Sequence, residues 1–120
     1  MEPVILHIEL GTYPIASWLK NNKYSIFSEL IRFVKKMIEQ DLKSIQAIMV
    51  SNDSDNIVFI LRYDNIDITL KKAMDYFQSI EEYEKCAEIR DLNILIEKLK
   101  NNESKDFKNS KSNKRQSKSN

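Results

Sequence analysis

The chain has 120 residues, the size of one ordinary domain, and it contains one Gly, one Cys and one His. That supply excludes Gly-rich phosphate loops, an internal disulfide, and the usual set of about three to four ligands that a zinc site takes. The formal charge of +1 hides two segments of opposite sign: residues 103–120 carry six basic and two acidic side chains, and residues 1–102 carry 13 basic and 16 acidic ones.

Val4-Ile5-Leu6-His7-Ile8-Glu9-Leu10 alternates with the period of a half-buried strand, with Val4, Leu6, Ile8 and Leu10 on one face. Residues 11–14 read as a turn. Ile15 to Leu19 is a short apolar piece of open type, with Trp18 as a core anchor. From Ser25, a candidate N-cap, apolar residues fall at Ile26, Phe27, Leu30, Ile31, Val34, Met37 and Ile38, which is helical spacing. Ser28, Glu29, Arg32, Lys35, Lys36, Glu39 and Lys43 make its polar side.

Two β-rich runs, Ile45 to Val50 and Ile57 to Tyr63, flank the turn-forming residues 51–56 and should pair as an antiparallel hairpin. Ile57-Val58-Phe59-Ile60-Leu61 is apolar on both faces, the pattern of a central strand covered on two sides. Residues 64–67 then supply a turn and an N-cap. Leu70, Ala73, Met74 and Phe77 form one helical stripe. After a break near Gln78-Ser79-Ile80 a second stripe runs through Tyr83, Cys86, Ala87, Ile89, Leu92, Ile96 and Leu99, so a helical hairpin is expected. Beyond Lys100 the apolar pattern stops. Residues 101–120 are nearly all Asn, Ser and Lys, and a segment that buries so little is expected to be disordered.

Few residues invite chemistry. Asp53 and Asp55 open a sequence like a calcium loop, but Ile57 and Val58 occupy the positions where such a loop needs an oxygen ligand and a Gly. Cys86 lies in an apolar helical stripe, where a free thiol acts as a small hydrophobe, and its only candidate base, His7, is far along the chain. The acids Glu81, Glu82, Glu84, Glu88 and Asp91 suit a solvated helix face, with Glu81 and Lys85 at pairing distance. No catalytic residue, metal ligand or cofactor is therefore assigned, and an enzyme is not expected.

The segment Glu82-Tyr83-Glu84-Lys85-Cys86-Ala87-Glu88-Ile89-Arg90-Asp91 resembles the UVR motif, the short helical hairpin of the UvrB and UvrC excision-repair proteins and of some Clp-associated stress proteins. That motif runs acidic, aromatic, Glu, any, small, Ala, any, aliphatic, Arg, Asp. Glu82, Tyr83, Glu84, Cys86, Ala87, Ile89, Arg90 and Asp91 match it in order, with Cys86 where Ala is commoner and a more apolar continuation from Leu92. The resemblance covers residues 66–100 and implies contact with another protein through Glu82, Tyr83, Cys86, Ala87, Arg90 and Asp91; self-association is expected equally, from the apolar surface of the last helix. No nuclease or helicase signature accompanies it.

These observations lead to an α+β chain in one domain: an α+β portion at 1–65, a helical hairpin at 66–100 packed on it, and a disordered basic tail at 101–120. The expected function is a non-enzymatic interaction or adaptor module. The wide apolar surface of the last helix, where Leu92, Ile94, Leu95, Ile96 and Leu99 span more than one face, points the same way. The alternative is an accessory nucleic-acid binder using Lys108, Lys111, Lys114, Arg115 and Lys118 of the tail, helped by Arg32, Lys35, Lys36 and Lys43; without aromatic stacking residues such contacts would be weak and salt-sensitive. Met1-Glu2-Pro3-Val4 lacks the pattern of a signal peptide, and no apolar run nears the ~20 residues of a membrane span, so a cytoplasmic protein without membrane contact is expected.

Overall fold

The computed structural model describes the backbone of residues 4–115 and the side chains of residues 6–102. The alternating N-terminal run forms strand β1 (Val4–Glu9), and Gly11 then turns the chain with φ of 62°, a conformation that suits a residue without Cβ. The apolar piece of open type is a short helix, α1 (Ile15–Asn21), whose Trp18 is half-buried against the core. Helix α2 (Lys23–Glu39) follows directly. It starts two residues before Ser25, so Ser25 lies inside the helix and is not its cap. Asn22 takes that position, but its amide side chain donates instead to the Trp18 carbonyl at 2.8 Å, which ties α1 to α2.

Strands β2 (Ser44–Ser51) and β3 (Asn56–Arg62) form the expected antiparallel hairpin, and β1 pairs with β2 in parallel, giving a three-stranded sheet in the order β1-β2-β3. A parallel pair needs a crossover, and α1 with α2 supplies it. The central strand is therefore β2, with Ile45, Ala47, Ile48 and Val50 buried. Strand β3 lies at an edge, contrary to the reading of Ile57 to Leu61 as central. Its two apolar faces have different surroundings: Leu61 is buried on the helix side, whereas Ile60 is 45% exposed. Register places Val58 opposite Met49 and Ile60 opposite Gln46 on the side of the sheet away from Leu61. Apolar residues on both faces thus arose without a second covering layer.

A 3-10 turn (Tyr63–Asn65) leads into α3 (Ile66–Ser79), and α4 (Tyr83–Arg115) completes the chain. Asp41 and Glu81 adopt φ of 54° and 61° just after α2 and α3. In each case the next residue donates back across the helix end: Leu42 to the Met37 carbonyl and Glu82 to the Phe77 carbonyl, both at 2.9 Å. These are the bonds of a Schellman ending, made here with an acidic residue in the place where Gly is usual. A chain with one Gly has to turn this way.

Nineteen buried apolar residues form one core that draws on both the 1–65 and the 66–100 portions, and no buried polar or charged residue interrupts it among the described side chains. Phe33 and Phe77 are fully buried. Phe33 joins the helical stripe read from the sequence, three residues after Leu30 and four before Met37, and the Arg32 guanidinium sits 4.7 Å from its ring centre. Tyr24 and Phe27 of α2 meet Tyr76 and Phe77 of α3 in an aromatic group with ring centres 5.3–6.4 Å apart across the two helices. The fold is α+β. The helical backbone of α4 continues past Lys100, and its last described side chains, Asn101 and Asn102, are exposed. The side chains of 103–120, on which the expectation of a disordered basic tail chiefly rests, lie outside the described residues.

Candidate functional site

Helix α4 is set in place by the turn before it. Glu81 in the left-handed region and the bond from the Glu82 amide to Phe77 reverse the chain within three residues, so α4 starts at once against α3. Glu84 in its first turn meets the positive end of the helix dipole. From there the sequence sorts by helical spacing. Cys86, Ile89, Leu92 and Ile96 point inward and are at most 5% exposed, packed toward α3 and α2. Tyr83, Ala87, Arg90 and Ile94 recur at intervals of four, three and four residues on the outward side, with Asp91 and Leu95 beside them.

That outward side mixes exposed charges, Glu84, Arg90, Asp91 and Lys98, with large apolar residues. Tyr83 is 63% exposed, Ile94 54% and Leu95 42%. Along a helix rising 1.5 Å per residue they span about 18 Å, with Arg90 and Asp91 between them. Both charges are exposed, and among the described residues neither has an ion-pair partner. Of the six residues carried by the UVR resemblance, Tyr83, Arg90 and Asp91 therefore face outward and Ala87 is half-buried. Cys86 requires correction as a contact residue: it is 1% exposed and packs the interior of the helical pair, where no partner can touch it. Ile94 and Leu95 belong on the surface instead, and the signal for them was the surplus of apolar residues after Asp91.

Glu82 serves a different purpose. It is half-buried and accepts a hydrogen bond of 3.2 Å from the Tyr24 hydroxyl, linking the start of α4 to α2. Partial burial, and then the neighbouring Glu82 carboxylate, hold the Tyr24 hydroxyl above the ordinary tyrosine range. A second link runs from Lys35 to Glu88 at 4.0 Å, and Lys85 approaches the same carboxylate at 3.8 Å. The expected pairing of Glu81 with Lys85 is replaced by this one because Glu81 lies in the turn, outside α4.

The residues of the nucleic-acid alternative divide in two. Lys108, Lys111, Lys114, Arg115 and Lys118 lie outside the described side chains. On the body, Arg32 donates to Glu29 at 2.6 and 2.9 Å, Lys35 faces Glu88, and Lys43 sits 5.6 Å from the Tyr63 ring centre, so this face is partly neutralised and not a continuous cationic stripe.

One polar group has the composition of a catalytic triad. His7 Nε2 lies 3.3 Å from Ser51 Oγ and 3.1 Å from a Glu9 carboxylate oxygen. Both neighbours approach the same ring nitrogen, whereas a triad needs the base to take the serine proton at one nitrogen and be held at the other. The group also sits on the open side of the sheet, with the His7 and Glu9 side chains 49% and 65% exposed. The polar turn between β2 and β3 is closed by its own bonds, Asn52 Oδ1 accepting from the Ser54 and Asp55 amides. Among the described residues no three His, Cys, Asp or Glu side chains are grouped to hold a metal ion, and no helix is long and apolar enough to cross a membrane.

Compared with family models, with curated proteins and with solved structures, the chain matches none.

Proposed function

We propose that this chain is a non-enzymatic protein-interaction module whose contact surface is the outward side of α4. The observation that carries the reading is the exposure of Tyr83, Ile94 and Leu95 on a helix whose inward side is already filled. Large apolar side chains gathered on one face lower the solubility of a free monomer, and their removal from water on association is favourable by about 25 cal/mol per Å². Arg90 and Asp91, unpaired within the described residues, supply charge that fixes orientation without adding much affinity. This is also the surface on which the UVR-like residues Tyr83, Ala87, Arg90 and Asp91 fall. The partner is another protein or a second copy of the chain, which we place in the cytoplasm, a reducing compartment that suits a lone thiol.

Sedimentation across a wide concentration range, with and without an Ile94→Asp/Leu95→Asp double substitution, tests this. The expected result is association, or recovery of a partner by crosslinking, that the double variant abolishes while its circular dichroism stays that of the parent. A parent that is monomeric throughout and crosslinks to nothing, or an association indifferent to both substitutions, would sink the proposal. The nucleic-acid alternative predicts instead an affinity that falls steeply with salt and depends on residues 103–120.

A further inference from the structure

Helices α1, α2 and α3 and strand β3 line an open pocket of about 360 Å³ that shares no residue with the outward side of α4. Its floor is apolar, made by Leu19, Ile26, Phe27, Leu30 and Phe59, and Thr69 is the one uncharged polar residue on its wall among the described residues. The volume is in the range of small-molecule sites, roughly 300–1,000 Å³, which are apolar cavities with a few placed polar groups. Here the remaining polar groups are all cations: Lys20, Lys23 and Lys72, contributed by α1, α2 and α3.

The charge at this rim is not that of the body around it. The first 102 residues have more acids than bases, yet among the described residues no acidic side chain lines the pocket. Lys35, Lys71 and Lys85 all lie within ion-pair distance of a carboxylate, whereas Lys20, Lys23 and Lys72 have no such partner among the described residues. Three lysines without a carboxylate partner around an apolar floor raise the potential at the mouth, because the low-dielectric walls concentrate the field. Apolar floor and cationic rim together select a ligand with the opposite arrangement, an apolar body and one anionic head.

We infer that this pocket binds monomeric anionic amphiphiles, of which a medium-chain carboxylate is the simplest, with its chain against Phe27 and Phe59 and its head among Lys20, Lys23 and Lys72. Lysine fits such a rim because its flexible stem packs along the apolar wall while its ammonium reaches the head group.

Calorimetric titration of the full chain with decanoate, below the concentration at which it forms micelles, reads the inference directly. One decanoate per chain is expected, with decyltrimethylammonium, whose head carries the lysines' own sign of charge, binding about tenfold more weakly or not at all, a difference of about 1.4 kcal/mol. A Lys20→Gln/Lys23→Gln/Lys72→Gln variant, altered only at exposed positions, should keep the parent's thermal transition and bind decanoate about tenfold more weakly. Three results would overturn the inference: no decanoate binding, equal binding of the cationic amphiphile, or a triple variant with the parent's affinity. Vesicles containing phosphatidylglycerol form the remaining arm. If they retain the chain through the same lysines while free decanoate does not bind, the rim serves a membrane surface and the monomer pocket is wrong.

Discussion

Helices α2 and α4 carry the same kind of apolar stripe but use it differently. In α2 the buried set, Ile26, Leu30, Ile31, Phe33, Val34 and Met37, accounts for most of the large apolar residues, and the one large hydrophobic left exposed, Tyr24, has its hydroxyl bonded to Glu82. In α4 the stripe of Cys86, Ile89, Leu92 and Ile96 is equally well buried, yet Tyr83, Ile94 and Leu95 remain outside. Position in the fold explains the difference. Helix α2 touches α1, β2, α3 and α4, whereas α4 packs chiefly on α3 and α2. A helix on the outside of a helical layer has one side to bury, so the apolar residues on its far side contribute little to folding and their reason must be sought elsewhere.

Truncating one residue from each set puts the two helices in direct opposition. Phe33→Ala removes a fully buried ring from the core and is expected to cost about 3–5 kcal/mol in chemical denaturation. Ile94→Ala, at 54% exposure, should change stability by no more than about 0.5 kcal/mol. Comparable losses at the two positions would mean that the outward side of α4 is structural, and the interaction surface would lose its basis. Cys86→Ser comes next in size. A hydroxyl in a site with 1% exposure should cost about 1–3 kcal/mol, and the native thiol should react with iodoacetamide only as fast as the chain unfolds.

Periodicity made the helices and the hairpin legible because each buries one side, and burial on one side is what a sequence period records. It failed where that condition fails. Ile57 to Leu61 looks central because Val58 and Ile60 are apolar, but they sit on the open side of an edge strand, and nothing in five residues distinguishes an uncovered apolar face from a covered one. The order of the strands depends on β1 pairing with β2 across a separation of about 40 residues, which no local pattern encodes. The end of α3 was legible as the break in its stripe near Gln78-Ser79-Ile80, but the way α2 and α3 both end was hidden: Asp41 and Glu81 occupy left-handed positions that Gly would have advertised. For the candidate site, Tyr83, Arg90 and Asp91 could be read from the resemblance, and the surplus at Ile94 and Leu95 from composition. The pocket could not, since Lys20, Phe59 and Lys72 converge only through the tertiary fold.

Glu81 offers a smaller effect of opposite sign. A non-Gly residue in the left-handed region costs roughly 1–2 kcal/mol, and part of the gain from replacing it is lost to the greater freedom of Gly in the unfolded chain. Glu81→Gly is therefore expected to stabilise the protein by about 0.5–1 kcal/mol in the same denaturation experiment, leaving the junction of α3 and α4 unchanged. A destabilised variant would mean that the Glu81 side chain itself supports the turn. The entry angle of α4, on which the outward placement of Tyr83 depends, would then rest on more than the backbone bond from Glu82 to Phe77.

The smallest effect concerns the bond between α2 and α4 themselves. Tyr24 donates to Glu82, and its hydroxyl is raised above the ordinary tyrosine range by partial burial and by that carboxylate. A group whose pKa is higher folded than unfolded stabilises the fold fully below its unfolded value and loses that contribution as pH rises through the folded one, so the tie between α2 and α4 should hold across neutral pH and release only in strong alkali. Phenolate absorbance during an alkaline titration checks it: Tyr24→Phe should remove an ionisation above the ordinary range, and Glu82→Gln should move that ionisation downward by taking away the negative charge. If Glu82→Gln leaves the titration curve unchanged, the carboxylate does not act on Tyr24. Glu82 would then be as free to meet a partner as Arg90 and Asp91, and the boundary on α4 between the residue that fastens the helix and the residues that face outward would move by one position.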